Sequence, residues 1–138
     1  MVTNSWVWNS PFFGWIIKYA DFHHSADGYE KLAERLKERI AEGYSVVIFP
    51  EGTRCRNGKM GRFKKGAFVI ANMAKAPIIP VAIQGSYDIL PKGCRCLHWS
   101  PVTLTFHKPI NTDGKGSEVV EDIMNETRSI IAKTLGEE

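Results

Sequence analysis

The sequence has few of the features that mark secreted or membrane-spanning proteins. It contains only three cysteines, Cys55, Cys94 and Cys96, an odd number that gives no disulfide framework. No apolar run approaches the roughly 18 residues that a spanning helix needs. The first residues also lack the basic and apolar regions of a secretory signal. We therefore expect reduced thiols in a cytoplasmic compartment and, at most, contact with a membrane from one side.

The sequence also lacks a large charge of either sign, because 18 basic and 15 acidic residues leave a formal charge of +3. This excess is too small for general nucleic-acid binding, so we expect no nucleic-acid partner. The positive charge is instead local, since residues 54–65 contain six basic side chains and no acidic one. No repeat, low-complexity tract or linker divides the chain, and we predict a single domain over residues 1–138.

The hydrophobic pattern alternates between helical and strand periods, which predicts an α/β fold with a mostly parallel sheet flanked by helices. Helices are predicted for Pro11 to Ala20, from the Asp27 cap to Gly43, for Ala67 to Lys75 and for Ser117 to Leu135. Strands are predicted for Tyr44 to Phe49 and Pro77 to Ile83, with two short edge strands between Cys94 and Phe106, broken by Pro101.

The most informative segment is Phe49-Pro50-Glu51-Gly52-Thr53-Arg54, which follows the first predicted core strand. In open α/β sheets, ligands bind at the carboxyl ends of the strands. The planar guanidinium of Arg54 suits a phosphate group, and a basic stretch rich in glycine follows it. The pattern therefore predicts a loop around an anion, and a simple turn closed by a surface ion pair is the alternative.

Three blocks of the sequence together resemble the glycerolipid acyltransferase family: residues 49–54, Arg62-Phe63-Lys64-Lys65-Gly66 and Ile79-Pro80-Val81-Ala82-Ile83. The resemblance covers about Val2 to Ile110 and is closest to the PlsC-like 1-acylglycerol-3-phosphate acyltransferases of phosphatidic acid synthesis. It implies the αβ fold of the glycerol-3-phosphate acyltransferases. It also implies transfer of a fatty acyl group from acyl-CoA or acyl carrier protein to a lysophosphatidic-acid-like acceptor, with no metal and no bound cofactor.

The same resemblance implies which residues bind the substrates. Those expected to bind the acceptor and its phosphate are Glu51, Gly52, Thr53, Arg54, Arg62 and Lys65, and Pro80 is associated with the acyl chain. The backbone N–H groups of Gly52 and Thr53 would bind acceptor oxygens, while Glu51 would anchor the loop. The implied partners are the acyl donor, the lysophospholipid and a membrane surface, with peripheral or monotopic attachment at the cytoplasmic face.

The sequence departs from the family in the residues that carry the chemistry. In the family, a His followed five positions later by an Asp deprotonates the acceptor hydroxyl. Here His23 and His24 are followed at that spacing by Gly28 and Tyr29. We therefore expect an N-terminally incomplete domain, inactive alone, with the pair upstream of Met1. A non-catalytic module that binds anionic lipid through the basic loop and the aromatic segment is the alternative, and binding of a soluble phosphorylated metabolite is a third.

Other departures and clusters leave further alternatives open. The stretch Ala20 to Ser25 lacks the Arg that usually ends the family's middle motif, and Cys55 stands where many members have Ser. His23 and His24 are expected to be ordinary strand-end or pocket-lining residues. Cys94, Cys96 and His98 alternate, but no fourth zinc ligand is obvious. The aromatic residues before Ala20 fit core packing, lipid contact or an acyl groove.

Overall fold

A computed structural model describes residues 2–3, 23–24, 28–55, 57–91, 96–112 and 116–137. The helices in these ranges are α1 (Tyr29–Ala41), α2 (Gly66–Ala74), α3 (Ser86–Ile89) and α4 (Ser117–Leu135). The strands are β1 (Val2–Thr3), β2 (His23–His24), β3 (Val81–Gln84) and β4 (Thr103–Phe106). The predicted helix from Pro11 to Ala20 lies outside these ranges, as does the predicted cap at Asp27.

Helix α1 forms because its apolar residues recur at helical spacing and its other faces are charged. Leu32, Ala33 and Leu36 are buried, while the glutamate, lysine and arginine side chains on the other faces face solvent. The helix ends at Ala41, two residues before Gly43, which has a φ of +86°, and the N–H of Gly43 bonds to the carbonyl of Ile40. The prediction of an amphipathic helix here is confirmed.

Helix α2 is central to the described part of the fold, and one cluster of buried side chains lies on each side of it. The first cluster joins α2 to α1 and consists of Leu32, Ala33, Leu36, Ile70, Ala74 and Ala76. The second joins α2 to α4 and consists of Phe63, Phe68, Val120 and Ile123. Since α2 contributes to both clusters, it is apolar nearly all round, as expected for a helix buried between two layers.

The C-terminal end of α2 has a specific side-chain partner. Lys75 adopts a left-handed conformation with φ of 53°, and the N–H of Ala76 bonds to the carbonyl of Ala71 at 3.0 Å. The buried Thr112 hydroxyl lies 3.0 Å from the carbonyl oxygen of Ala76 and 3.4 Å from that of Ala71. Thr112 therefore donates to the carbonyl of Ala76 just beyond the helix end, and it also lies near the Ala71 carbonyl that accepts the Ala76 N–H.

The described strands form two pairs. Strands β1 and β2 are parallel, with Val2 opposite His23, and β3 and β4 are antiparallel, with Val81 opposite Phe106. A further bridge joins Ile78 to Ile110. The α/β class is confirmed, and the second predicted core strand is present as β3. Within residues 96–106, one strand forms where two short strands were predicted.

The predicted strand from Tyr44 to Phe49 is wrong in this structure. No residue of this segment is paired into a sheet, and Tyr44, Val47 and Phe49 each expose more than half of their surface. Only Val46 packs against the cluster between α1 and α2. An apolar run indicates that a segment can be buried, but a strand also needs a neighbour to receive its backbone hydrogen bonds.

Helix α4 has the predicted bounds, and Gly136 follows it in the left-handed conformation that commonly ends helices. Its buried face packs against α2 and β3. Within the ranges given above, no helix combines the length and the apolar character needed to cross a bilayer.

Candidate functional site

The described residues between 49 and 64 form a loop with three hydrogen bonds, of which the first closes a local turn and the other two join the arms of the loop. The N–H of Gly52 bonds to the carbonyl of Phe49 at 3.1 Å, and the N–H of Lys64 bonds to the carbonyl of Pro50 at 2.9 Å. In the third bond, a carboxylate oxygen of Glu51 accepts the N–H of Gly61 at 2.7 Å. The loop therefore returns to its own starting point, and its two arms lie side by side.

Gly52 gives the turn its shape. Its φ of +67° lies in the left-handed region, and a Cβ at this position would come within 2.7 Å of the Lys64 ammonium nitrogen. Glycine adopts this conformation without the steric cost that a side chain brings. The Gly52 N–H already bonds to the Phe49 carbonyl, so it is not a free donor for a ligand. Gly52 instead allows the left-handed turn and the close approach of Lys64.

The basic side chains of the loop that the structure describes are exposed. A guanidinium nitrogen of Arg54 lies 3.4 Å from the carbonyl oxygen of Leu90, a long contact for a hydrogen bond. The Thr53 hydroxyl lies at 3.5 Å from the Arg54 carbonyl oxygen. Arg62 is also exposed. The loop thus presents positive charge to solvent, and the planar guanidinium of Arg54 suits a bidentate anion.

Lys65 lies at the start of α2 and makes an ion pair with Glu121 of α4, with 2.8 Å between nitrogen and oxygen. More than half of each side chain is exposed. The hydrogen bond from Lys65, together with its positive charge, lowers the pKa of Glu121 below its usual value of 4.5. Exposed pairs of this kind contribute little to stability, so Lys65 can exchange Glu121 for another anion.

The inner side of the loop is attached to the core. Phe63 is buried and stacks on Phe68 of α2, with 6.1 Å between ring centroids. The N–H of Met60 donates to a carboxylate oxygen of Glu137 at 2.8 Å. The loop is therefore held from inside by α2 and by Glu137, the second residue after α4. Sequence reasoning missed Glu121, Glu137 and the Leu90 carbonyl, because no local spacing relates them to the loop.

Pro80 lies apart from the turn, at the start of β3. It is fully buried, and its carbonyl oxygen accepts the N–H of His107 at 3.0 Å. Its lack of an N–H group suits the first position of a strand. The structure therefore brings together Glu51, Gly52 and the adjacent basic residues, and it places Pro80 in the layer formed by β3 and β4.

The remaining predicted candidates have other locations. His23 and His24 form β2. Cys55 is half-buried and Cys96 is exposed, both as free thiols, while Cys94 lies outside the described residues. Among the residues that the structure places, no group of three His, Cys, Asp or Glu side chains is arranged to hold a metal ion. Across the whole sequence, no His is followed five positions later by Asp.

Residues 1–84, which include the whole 49–64 loop, match the Acyltransferase family. The chain belongs to this family. It is 38% identical over 103 residues to the chloroplastic 1-acyl-sn-glycerol-3-phosphate acyltransferase of Arabidopsis thaliana, covering 74% of this chain and 28% of that protein. It is 27% identical over 132 residues to the enzyme of the same name from Pseudomonas aeruginosa, covering 92% of this chain and 51% of that protein.

A solved structure is also similar. The 1-acyl-sn-glycerophosphate acyltransferase PlsC from Thermotoga maritima superposes with a TM-score of 0.74 and 28% identity, over 99% of this chain and 55% of that one. The predicted membership of the PlsC-like acyltransferases is thereby confirmed. The chain spans between about a quarter and about half of the length of these relatives.

Proposed function

We propose that the complete protein transfers a fatty acyl group to the hydroxyl of a lysophosphatidic-acid-like acceptor, and that residues 49–65 bind the phosphate of that acceptor. The observation that carries this proposal is the closed loop. The Glu51 contact with Gly61 joins its two arms, while Arg54 and Arg62 remain exposed on it. A fixed loop with exposed guanidinium groups is suited to a phosphate monoester.

The roles within the loop follow from these contacts. Arg54 and Arg62 would bind the phosphate, and Lys65 would join them when the anion displaces Glu121. Glu51 would hold the loop, and Gly52 with Thr53 would shape the turn from which Arg54 extends. Pro80 would act through the β3–β4 layer, as the family's association with the acyl chain suggests.

The reaction needs a base, which we propose lies outside these 138 residues as a His with an Asp five positions later. This His would take the proton of the acceptor hydroxyl as the oxygen attacks the thioester carbonyl carbon. The carbon–sulfur bond then breaks, and the thiolate takes the proton back from the imidazolium. The products are an ester and a free thiol, so no bound cofactor and no metal is needed.

The remaining substrates and partners are proposals on the same basis. The acyl donor would be a thioester of coenzyme A or of acyl carrier protein. The acceptor is a lipid, so the enzyme would work at the cytoplasmic face of a membrane as a peripheral or monotopic protein. On this proposal the 138-residue chain alone is inactive.

The experiment that tests the proposal is substitution of Arg54 in the full-length protein. Arg54→Ala should raise KM for the phosphorylated acceptor about 10-fold to 100-fold, since hydrogen bonds to a charged group contribute roughly 1.5 to 3 kcal/mol. KM for the acyl donor should stay unchanged. Lys108→Ala, an exposed basic residue after β4, is the matched control. An unchanged acceptor KM in Arg54→Ala would remove Arg54 from the site.

The non-catalytic lipid-binding module remains the competing function, favoured by the absence of the His and Asp pair from these residues. Steady-state assay of the full-length protein with a radiolabelled acyl donor separates the two. Replacing the upstream His by Ala should abolish ester formation. A full-length protein that has no such pair and forms no ester would instead support the binding module.

A further inference from the structure

The most exposed large apolar side chains of the described residues lie in one short loop. Trp99 exposes 92% of its surface and Leu97 exposes 75%. Large aromatic residues are usually well buried, and the contacts of the 49–64 loop described above do not explain why Trp99 is exposed. The loop that contains them, residues 96–101, joins α3 to β4 and has no role in the acyltransferase site described above.

The backbone on both sides of Trp99 is fixed. The N–H of His98 donates to the carbonyl of Ile89 at 2.9 Å. On the other side, Gly85 has a φ of +83°, and a Cβ at that position would come within 2.1 Å of the Pro101 carbonyl oxygen. His98 is therefore bonded to the C-terminal end of α3, and Pro101 lies close to its N-terminal end, so the backbone on both sides of Trp99 lies against α3.

Helix α3 also contacts the basic loop. The carbonyl of Leu90, just after α3, is the oxygen that faces the Arg54 guanidinium. At Gly58, a Cβ would lie 3.4 Å from the ring of Tyr87. The basic loop therefore lies next to α3 at Tyr87 and Leu90. The loop that contains Trp99 lies next to α3 at Ile89.

Of the two loops that approach α3, one therefore carries exposed apolar side chains and the other carries positive charge. The exposed basic residues of the adjoining loop are Arg54, Lys59, Arg62 and Lys64. The same region contains two acidic residues. Asp88 of α3 is exposed, and the Glu51 carboxylate accepts the Gly61 N–H. Tryptophan prefers the boundary between lipid headgroups and acyl chains, and basic side chains near it are attracted by anionic headgroups.

We propose that Leu97 and Trp99 insert into the headgroup region of an anionic phospholipid bilayer, with the basic residues of the 49–64 loop next to the headgroups. The charge of the neighbouring loop favours this occupant over a neutral protein surface. The inference deepens the proposed function, because it would hold the phosphate-binding loop at the surface that contains the lipid acceptor.

The test is co-sedimentation of the full-length protein with phosphatidylcholine vesicles and with vesicles that also contain phosphatidylglycerol. Trp99→Ala should lower the partition coefficient about tenfold on both vesicle types, because an apolar contact is lost. Lys59→Ala should lower it about fivefold on the anionic vesicles only, and added salt should remove that difference. Tyr44→Ala is the matched control, since this exposed aromatic residue contacts Arg39 of α1.

The outcomes separate this inference from the proposed function. The vesicle assay contains neither acyl donor nor acceptor, so loss of enzymatic activity has no influence on it. Unchanged partitioning of Trp99→Ala would overturn the inference. If size-exclusion chromatography shows that Trp99→Ala loses self-association while its vesicle binding is unchanged, the surface binds protein instead. Trp99→Phe, which keeps an aromatic ring, should retain most of the binding, and circular dichroism checks that each variant is folded.

Discussion

The carboxylate of Glu51 accepts a hydrogen bond from the backbone N–H of Gly61 at 2.7 Å, ten residues along the chain. The bond is partly buried and charge-assisted, which makes it stronger than a bond between neutral groups. It joins the start of the 49–64 loop to the part just before Phe63, whose ring is buried against α2. The carboxylate is thus committed to the loop, which fits an anchoring residue better than a proton-transfer residue.

Substitution of Glu51 should therefore loosen the loop. Glu51→Ala leaves the Gly61 N–H without its partner, and we expect the free energy of unfolding to fall by about 1 to 2 kcal/mol. The acceptor KM should rise as well, because Arg54 extends from the same turn. Urea unfolding followed by circular dichroism measures the first effect, and steady-state kinetics of the full-length protein measures the second.

Two variants make this prediction specific. Glu51→Gln keeps an oxygen that can accept the Gly61 N–H, so it should recover more than half of the lost stability. Glu42→Ala removes a carboxylate of an exposed pair with Arg39 and should change stability by less than about 0.5 kcal/mol. If Glu51→Ala and Glu42→Ala are equally stable, Glu51 does not anchor the loop.

The parts that sequence reasoning predicted are those with a local signal. Helices α1, α2 and α4 follow from apolar residues at helical spacing, and Gly136 ends α4 as expected. The block from Phe49 to Arg54 led to the correct family, because its residues are adjacent in sequence. Each of these predictions depends on residues within a few positions of one another.

The parts that it missed depend on residues far apart. Tyr44 to Phe49 has the composition of a strand, but strand formation needs a neighbouring strand, which composition does not report. The Lys65 pair with Glu121 joins residues 56 positions apart, and the Met60 bond to Glu137 joins residues 77 positions apart. These contacts exist because α4 packs against α2, and no short pattern in the sequence predicts that packing.

Among the glycines that the structure describes, Gly85 should be the least tolerant of a side chain. In Gly85→Ala, the new Cβ would meet the Pro101 carbonyl, a backbone atom that cannot rotate away, and its φ of +83° is itself unfavourable for alanine. We expect the free energy of unfolding to fall by about 2 to 4 kcal/mol, because backbone strain and displacement of the 96–101 loop both destabilise the fold. Thermal unfolding of the purified variant gives the value.

Gly136→Ala separates these two causes. Gly136 also has a positive φ, of +72°, but a Cβ there would have no atom within 4 Å. The free energy of unfolding of Gly136→Ala should fall by only about 1 kcal/mol, the cost of the left-handed conformation alone. Equal losses at the two positions would show that the contact with Pro101 has no energetic consequence.

Thr112 should stabilise the end of α2 through its hydroxyl. Thr112→Val keeps the shape of the side chain but removes the donor that faces the carbonyls of Ala71 and Ala76. Because the site is buried, we expect the free energy of unfolding, measured in urea, to fall by about 1 to 3 kcal/mol. Thr112→Ser keeps the hydroxyl and should lose less stability than Thr112→Val. A larger loss in Thr112→Ser would show that the methyl group, and not the hydroxyl, matters at this position.

The ion pair of Lys65 with Glu121 should give a small, pH-dependent contribution to stability. Lys65 lowers the pKa of Glu121 in the folded state below its usual value of 4.5. A carboxyl group with a lowered folded pKa stabilises the protein above its unfolded pKa, and this stabilisation disappears as the pH falls through the folded pKa. In Lys65→Met, the pKa of Glu121 should therefore rise, which carboxyl-carbon NMR titration measures. Its stability deficit relative to wild type should be present at neutral pH and absent in acid. Lys133→Met, near the end of the same helix, should leave the Glu121 titration unchanged, and an unshifted pKa in Lys65→Met would show that the pair does not persist in solution.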